Sequence, residues 1–214
     1  MVLLDAVVAS LGGPRLGVLV ATFDHRTGTH SSRAVRAVER RAASLRLRCV
    51  VGLATQARSR EHEWREQRWQ FLRATAENFS APVVTAHTLD DQVETVFMRI
   101  LRDAGARGLA GLYAESEVVR PFISLRRVEL AAYAASHAVA HIEDPSNESR
   151  AHLRNRVRHE LLPALTRVRP AFPSQLLTIA QMAAEWREEM ARTVDEIGVV
   201  AGPDGSVRVA RASL

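Results

Sequence analysis

In the stretch VVTAHTLDDQVETV, residues 83–96, a run of apolar and β-branched residues ends at His87, and Asp90, Asp91 and Glu94 follow at once. Asp91 and Glu94 are three apart, so a helix starting here puts both carboxylates on one face of its first turns. Such a pair, beside His87, can hold Mg²⁺ or an ammonium group. The same residues also suit a plain helix start. Thr88-Leu89-Asp90-Asp91 fits a capping box, and acids in the first turn complement the helix dipole. The two roles are compatible, and both stand at this point.

A second concentration of chemistry is EDPSNESRAHLRNRVRHELLP, residues 143–163. Asp144-Pro145-Ser146-Asn147 is a turn signature. Behind it, between Arg150 and Arg169, six arginines stand against one acid, Glu160. Arg154 and Arg158 share a helix face. This run reads equally as a phosphate-binding surface or a solvated helix. His25, Trp64 and Trp69 read more readily as structural residues than as catalysts or stacking platforms. Cys49 reads as an inert core thiol within a strand.

The elements that must position these groups alternate. LGVLVATF (Leu16–Phe23), RCVVGL and APVVTA read as buried strands. Between them lie a helix with Val35, Val38, Ala42 and Leu45 at spacings of three and four, capped by Ser31 or Ser32, and a helix from Glu61 to Phe79. A helix from Asp91 to Arg102 follows the third strand. This alternation predicts a parallel, doubly wound α/β sheet, whose ligands bind beyond the carboxyl ends of its strands. Asp24–Arg26 and His87–Thr95 lie at such ends. From Leu125 the pattern is helical, with stripes at Leu125, Val128, Ala132 and Ala135, then at Leu153, Val157, Leu161 and Leu165, the latter ended in the neighbourhood of Pro163 and Pro170. Ile179, Ala183, Trp186, Met190, Val194 and Ile197 mark a third, longer helix. The final residues, from Val199, read as a turn between two short strands.

The bulk numbers fit one packed domain with the start of a second. The chain has 214 residues, 47% hydrophobic and 25% charged, which excludes a disordered composition. It carries one cysteine, which excludes an internal disulfide and a paired-cysteine zinc or redox framework. The amino-terminal residues lack the basic flank of a signal peptide, no apolar run is long enough for a spanning helix, and the expected location is cytoplasmic. Net charge is +5 and the sequence holds no lysine, so every one of the 29 Lys+Arg cations is arginine. That composition excludes lysine-based catalysis and weakly favours a nucleic-acid partner.

Five blocks in order over residues 20–163 carry a resemblance: FDHR, EHEWREQRW, TAHTLDDQVETVFMRILRDAGARGLAGL, VRPFISLRRVEL and EDPSNESRAHLRNRVRHELLP. Together they resemble the tRNA(Ile)-lysidine synthetases, members of the PP-loop ATP pyrophosphatase family. The resemblance implies an adenine nucleotide alpha hydrolase-like, Rossmann-like fold over residues 1–122. It implies a helical, tRNA-facing subdomain over 123–198 and an incomplete carboxyl-terminal segment over 199–214. It also implies a reaction: ATP adenylates the C2 oxygen of the wobble cytidine of an isoleucine tRNA with a CAU anticodon, and free L-lysine displaces AMP.

By motif position, Asp91, Glu94 and Arg154 would be catalytic, with Mg²⁺ at Asp91 and Glu94. His25, His87, Arg65 and Asp90 would bind ATP, and Arg68, Asn155, Arg156 and Arg158 would bind tRNA. A homodimer is compatible with this reading, and no membrane partner is expected. Two departures from the family pattern stand out: Thr88 replaces a common second histidine, and Asp103-Ala104 replaces a common Gly-Ser. The phosphate-cradling SGGxDS loop is absent from these 214 residues. The first ten residues match the helix that follows that loop, so the expectation is a chain truncated at its start and inactive, or nearly so, in this form. The rival readings are a non-catalytic RNA-binding module and a thiolating PP-loop enzyme, the latter disfavoured by a lone cysteine.

Overall fold

The computed structural model describes residues 1–12, 17–55, 61–140, 149–150, 152–198, 200–202 and 206–209. The Asp144–Asn147 turn signature lies outside them. The chain forms two compact units, each assembled from two separate stretches: residues 1–88 with 117–148, and residues 89–116 with 149–214.

The first unit is α/β. Helix α1 (Val2–Ser10) precedes β1 (Leu19–Asp24), α2 (Thr29–Ser44), β2 (Arg48–Leu53), α3 (Glu61–Asn78) and β3 (Val83–Val84). After residue 116, β4 (Val118–Val119) and α6 (Arg127–Ser136) complete it, α4 (Leu89–Ile100) and α5 (Ala106–Leu109) belonging to the second unit. Strands β1 and β2 pair in parallel from Leu19↔Arg48 to Asp24↔Leu53. Strands β3 and β4 form a second parallel pair, Val83↔Val118 and Val84↔Val119. The parallel, helix-alternating character is as the sequence predicts, but among the described residues the sheet is in two pieces, with β1 and β3 unjoined. Gly52 is needed where it stands: a Cβ there would come within 2.6 Å of the Phe23 and Phe71 rings.

Two local expectations are corrected here. Helix α2 starts at Thr29, and Ser31 and Ser32 do not cap it; their hydroxyls donate to Asp24, a charged and hence stronger acceptor. On α6 the predicted stripe is rotated. Val128 is 70% exposed, while Tyr133 is half-buried and donates to Asp5 Oδ2 at 3.3 Å.

The second unit is helical. Helix α4 (Leu89–Ile100) leads to the short α5 (Ala106–Leu109) and a 3₁₀ turn over Gly111–Tyr113. Helix α7 (Leu153–Arg156) runs through a π-helical turn, Val157–Leu161, into α8 (Leu162–Val168), and α9 (Phe172–Glu196) follows. Pro163 therefore does not end its helix. Its ring and missing N–H would disrupt an α-turn, and the widened π turn immediately before it accommodates both.

The core gathers Val93, Val96, Phe97, Val157, Leu176 and Ala180. On α9 the helix is as expected but the face is not. Leu176, Ala180, Ala183 and Ala184 are buried, whereas Ile179, Trp186, Met190 and Val194 are exposed. Small alanines let neighbouring backbone approach closely, and the buried alanines pack against Ala110 and Leu109. Strands β5 (Val200–Ala201) and β6 (Val207–Arg208) pair antiparallel, as the terminal turn predicts. None of the described helices is long and apolar enough to cross a membrane.

Candidate active site

Helix α4 presents its acids in the order the motif dictates. It starts at Leu89, so Asp90 and Asp91 fall in its first turn, where negative charge is favoured. Glu94, one turn on, is 2% exposed. A carboxylate this deep needs partners, and it has them from sixty residues away. Arg154 Nε donates to Glu94 Oε2 at 2.8 Å. Arg158 Nε donates to Oε1 at 2.6 Å and its Nη2 to Oε2 at 2.9 Å. Arg154 also reaches Asp91 Oδ1 at 3.0 Å, and Arg158 Nη2 lies 3.5 Å from the same oxygen. Burial pushes the Glu94 carboxyl upward. The hydrogen bonds from Arg158 and Arg154, and their charges, more than reverse this and hold it below the usual carboxylate range. The bond to Glu94 in turn raises Arg158.

Two acids and two arginines thus form a charge-balanced cluster with one dry side and one wet side. The Arg154 and Arg158 side chains remain 28% and 23% exposed, and Asp91 16%. An arginine has five N–H donors. Those turned away from Glu94 can take a phosphate or a base oxygen, and the partly exposed Asp91 carboxylate carries the charge to pair with an ammonium group.

The loop after α4 is held by a residue that spacing did not single out. Gln92 is fully buried, donates to the Ala110 carbonyl at 2.8 Å and accepts from Leu112 N–H at 2.6 Å. Gly111 between them has φ +62°, and a Cβ there would meet the Gln92 amide at 2.5 Å. The signal was present in the sequence: a glutamine inside an acidic helix start, followed by a glycine-rich loop.

In the first unit, Asp24, which the sequence places at a strand end without assigning it a role, is a second such residue. Asp24 closes β1, is 8% exposed, and accepts from Arg26 N–H at 2.7 Å and from the Ser31 and Ser32 hydroxyls. Burial raises its carboxyl, but these donors together bring it below the usual range. The fold beside it is tight, since Arg26 takes a left-handed φ of +54°. His25 packs its ring 5.1 Å from Phe23 and 5.9 Å from Trp64, so it is set in an aromatic cluster.

The predicted residues therefore separate. Asp91, Glu94, Arg154 and Arg158 come together in the second unit. Asp90 shares their helix turn and adds to the field that raises Arg158. Asn155 is nearly buried and donates to the Ser149 carbonyl at 2.8 Å, while Arg156 is exposed and lies 4.0 Å from Glu160. In the first unit, His25, Arg68 and His87 line one cavity, with Thr85 Oγ1 2.8 Å from His87 Nδ1. Arg65 is exposed on α3.

The PP-loop domain family matches residues 1–165. The chain belongs to the PP-loop family. The match takes in the acids of α4 and the arginines that answer them. Among similar proteins, a tRNA(Ile)-lysidine synthase of Geobacter sulfurreducens is 36% identical over 202 residues, covering 89% of this chain and 43% of that protein. One from Dehalococcoides mccartyi is 39% identical over 150 residues, 65% of this chain and 31% of that protein. This PP-loop chain thus spans less than half the length of these relatives. In fold it is similar to the U34-tRNA thiolase NcsA of Methanococcus maripaludis, solved with its [4Fe-4S] cluster, at a TM-score of 0.68 and 11% identity over 86% of this chain and 68% of that one.

Proposed function

We propose that the protein containing this chain converts the wobble cytidine of an isoleucine tRNA with a CAU anticodon to lysidine, using ATP and free L-lysine. The observation that carries the reading is the buried Glu94 held by Arg154 and Arg158 beside the partly open Asp91. Similarity to lysidine synthases over most of the chain supports the substrate.

The chemistry has two steps. The C2 oxygen of the base attacks the α-phosphate of ATP, pyrophosphate leaves, and the poor leaving oxygen becomes an AMP ester. The lysine ε-amine then attacks C2, a C–N bond forms, and the C–O bond breaks to release AMP. The ammonium loses one proton to solvent before it attacks, and the nitrogen loses a second to solvent once the C–N bond has formed. Arg154 and Arg158 turn their remaining N–H donors to the phosphate that gains charge in the first step, and Glu94 fixes the direction in which they point. Asp91 pairs with the incoming ammonium group. Asn155 steadies the loop ahead of α7 through Ser149, and exposed Arg156 offers a phosphate contact to tRNA. His25 and His87 follow the carboxyl ends of β1 and β3, where nucleotides bind in such sheets, and Arg68 of α3 lines the same cavity. Arg65 is one exposed turn away on α3.

Mg²⁺ accompanies ATP in such chemistry, and hard oxygen ligands are what it requires. Here every Glu94 oxygen and the near oxygen of Asp91 already accept from a guanidinium. The residues as arranged do not fit a cation at Asp91 and Glu94 unless an arginine is displaced. The reading is tested in the protein's own cells by depleting it and measuring lysidine in isolated isoleucine tRNA by nucleoside mass spectrometry. Loss of lysidine is expected; an unchanged level contradicts the proposal.

A further inference from the structure

The outer face of α2 carries a row of arginines that the lysidine chemistry does not use, and we propose that it docks the phosphate backbone of a double-helical stem of the tRNA. The proposal rests on the lysidine reading for the identity of the RNA, and on the first unit alone for the place.

The charge there is concentrated. Residues 26–48 hold seven arginines and one acid, Glu39. The whole chain has 29 cations and 24 acids, which leaves 22 cations and 23 acids outside that stretch. A compositional preference for arginine over lysine decides which cation is used; it does not gather cations into one segment. The basic run over residues 150–169 already supplies Arg154 and Arg158 to the active site. The run on α2 has no such employment.

Helical geometry says which way it faces. At about 100° per residue, Val35, Val38, Ala42 and Leu45 fall on one side of α2, and Val35 and Ala42 are buried. Arg33, Arg36 and Arg40 fall within about 60° of one another on the opposite side, about 10 Å from first to last along the axis. All three are exposed. Arg41, about 100° round from Arg40, pairs instead with Asp5 and belongs to the fold.

A face that is merely solvated gains from opposite charges three or four residues apart, and like charges at those spacings destabilise the helix. Arg33 with Arg36, and Arg36 with Arg40, are like charges at those two spacings. Glu39 is near enough in sequence to answer Arg36, yet among the described residues none of the three arginines forms an ion pair or a side-chain hydrogen bond. The helix also has no acid in its first turn. The row works against the helix that carries it and leaves three forked donors facing solvent. A phosphate backbone reverses that sign, because each guanidinium can take a phosphate and displace its condensed counterions.

The same face selects a stem over a single strand. Single strands are held by aromatic platforms as well as by charge, and Thr29–Ser44 contains no Phe, Tyr or Trp. A row fixed on a 16-residue helix suits phosphates that are already in fixed order, and RNA duplexes are recognised mostly by shape and by backbone contacts. Helix α2 starts just past the carboxyl end of β1, the end at which nucleotides bind in such sheets, so a stem lying along it leads toward that end.

The test measures binding of the 214-residue chain to a transcript of an isoleucine tRNA with a CAU anticodon, by fluorescence anisotropy between about 50 and 200 mM KCl. Arg36→Ala/Arg40→Ala is compared with Arg73→Ala/Arg192→Ala, which removes the same charge from exposed positions on α3 and α9. Each duplex phosphate contact adds about 0.9 to the slope of log affinity against log salt. The α2 pair should lower that slope by about two and weaken binding at low salt by about tenfold or more, whereas the control pair should change Kd less than about threefold. Both should melt with the wild-type chain. Arg33→Ala alone, a second route should the pair disturb the helix, should lower the slope by about one. An unstructured single-stranded RNA of the same length should lose far less affinity to the α2 pair. Equal losses from the two pairs, an equal loss for the single strand, or no binding of the transcript by the wild-type chain would each overturn the proposal. None of these outcomes bears on the lysidine reading, which is decided by lysidine measured in cells.

Discussion

The two units handle their polar groups in opposite ways. In the second, the most buried acid is answered by two arginines and sits on a core of Val93, Val96, Phe97 and Val157. In the first, the buried acid Asp24 is held by neutral donors, the Arg26 N–H and the Ser31 and Ser32 hydroxyls. One unit answers its buried acid with charge, and the other with neutral hydrogen bonds. A site whose charges hold each other in place is pre-organised, and Glu94 does for the arginines what a second layer of hydrogen bonds does for a catalytic group.

The contrast can be broken most sharply at Glu94. Glu94→Ala leaves two guanidiniums without their carboxylate. Removing one member of a buried pair costs about 3–5 kcal/mol, and the partial exposure of both arginines puts the loss near the lower end, about 3 kcal/mol in urea unfolding. Gln92→Ala removes two buried hydrogen bonds and should cost about 2 kcal/mol, with faster amide exchange at Leu112. Asp24→Ala loses three donors at the end of β1, and a cost of about 1–2 kcal/mol is expected by the same measurement.

A smaller effect is the pH dependence. The Glu94 carboxyl is held below its ordinary 4.5 in the folded protein, so its stabilisation is fully present above that pH and fades as pH falls through the lower, folded value. Asp24 has the same sign. Glu94→Gln should flatten the acid side of the stability profile, and an unchanged profile would mean that the cluster adds nothing. The smallest effect is at Arg156, exposed and loosely paired with Glu160; Arg156→Ala should change stability by less than about 0.5 kcal/mol.

Much of this was readable in advance. Alternating apolar runs announce the parallel pairs, and the three-residue spacing of Asp91 and Glu94 places them together. Motif resemblance marks Glu94 and Arg154 as residues of one site, but their hydrogen bond is visible only in the structure, because no local periodicity connects residues sixty apart. Arg158, expected at tRNA, grips the same carboxylate. The faces of α6 and α9 were misjudged because alanine counts weakly in an apolar stripe yet allows the closest packing. Of the two prolines that read as stops, Pro170 follows the end of α8 at Val168, while the helix runs through Pro163 because a π turn, which has no sequence period of its own, precedes it. Ser31 and Ser32 looked like caps because the competing acceptor, Asp24, lies a loop away. The interleaved units follow from long-range packing that no single segment encodes.

The most direct test replaces Glu94 with Gln in the protein as its own cells make it, under conditional expression. Lysidine in isoleucine tRNA is then measured by mass spectrometry, with a melting curve of the purified variant as control. The account predicts a folded protein and a loss of lysidine of at least about tenfold, roughly the 1.4 kcal/mol or more expected when an orienting charge is removed from two phosphate-directed arginines. Wild-type lysidine with a folded Glu94→Gln protein would contradict it, and would leave the acids of α4 with a structural role alone.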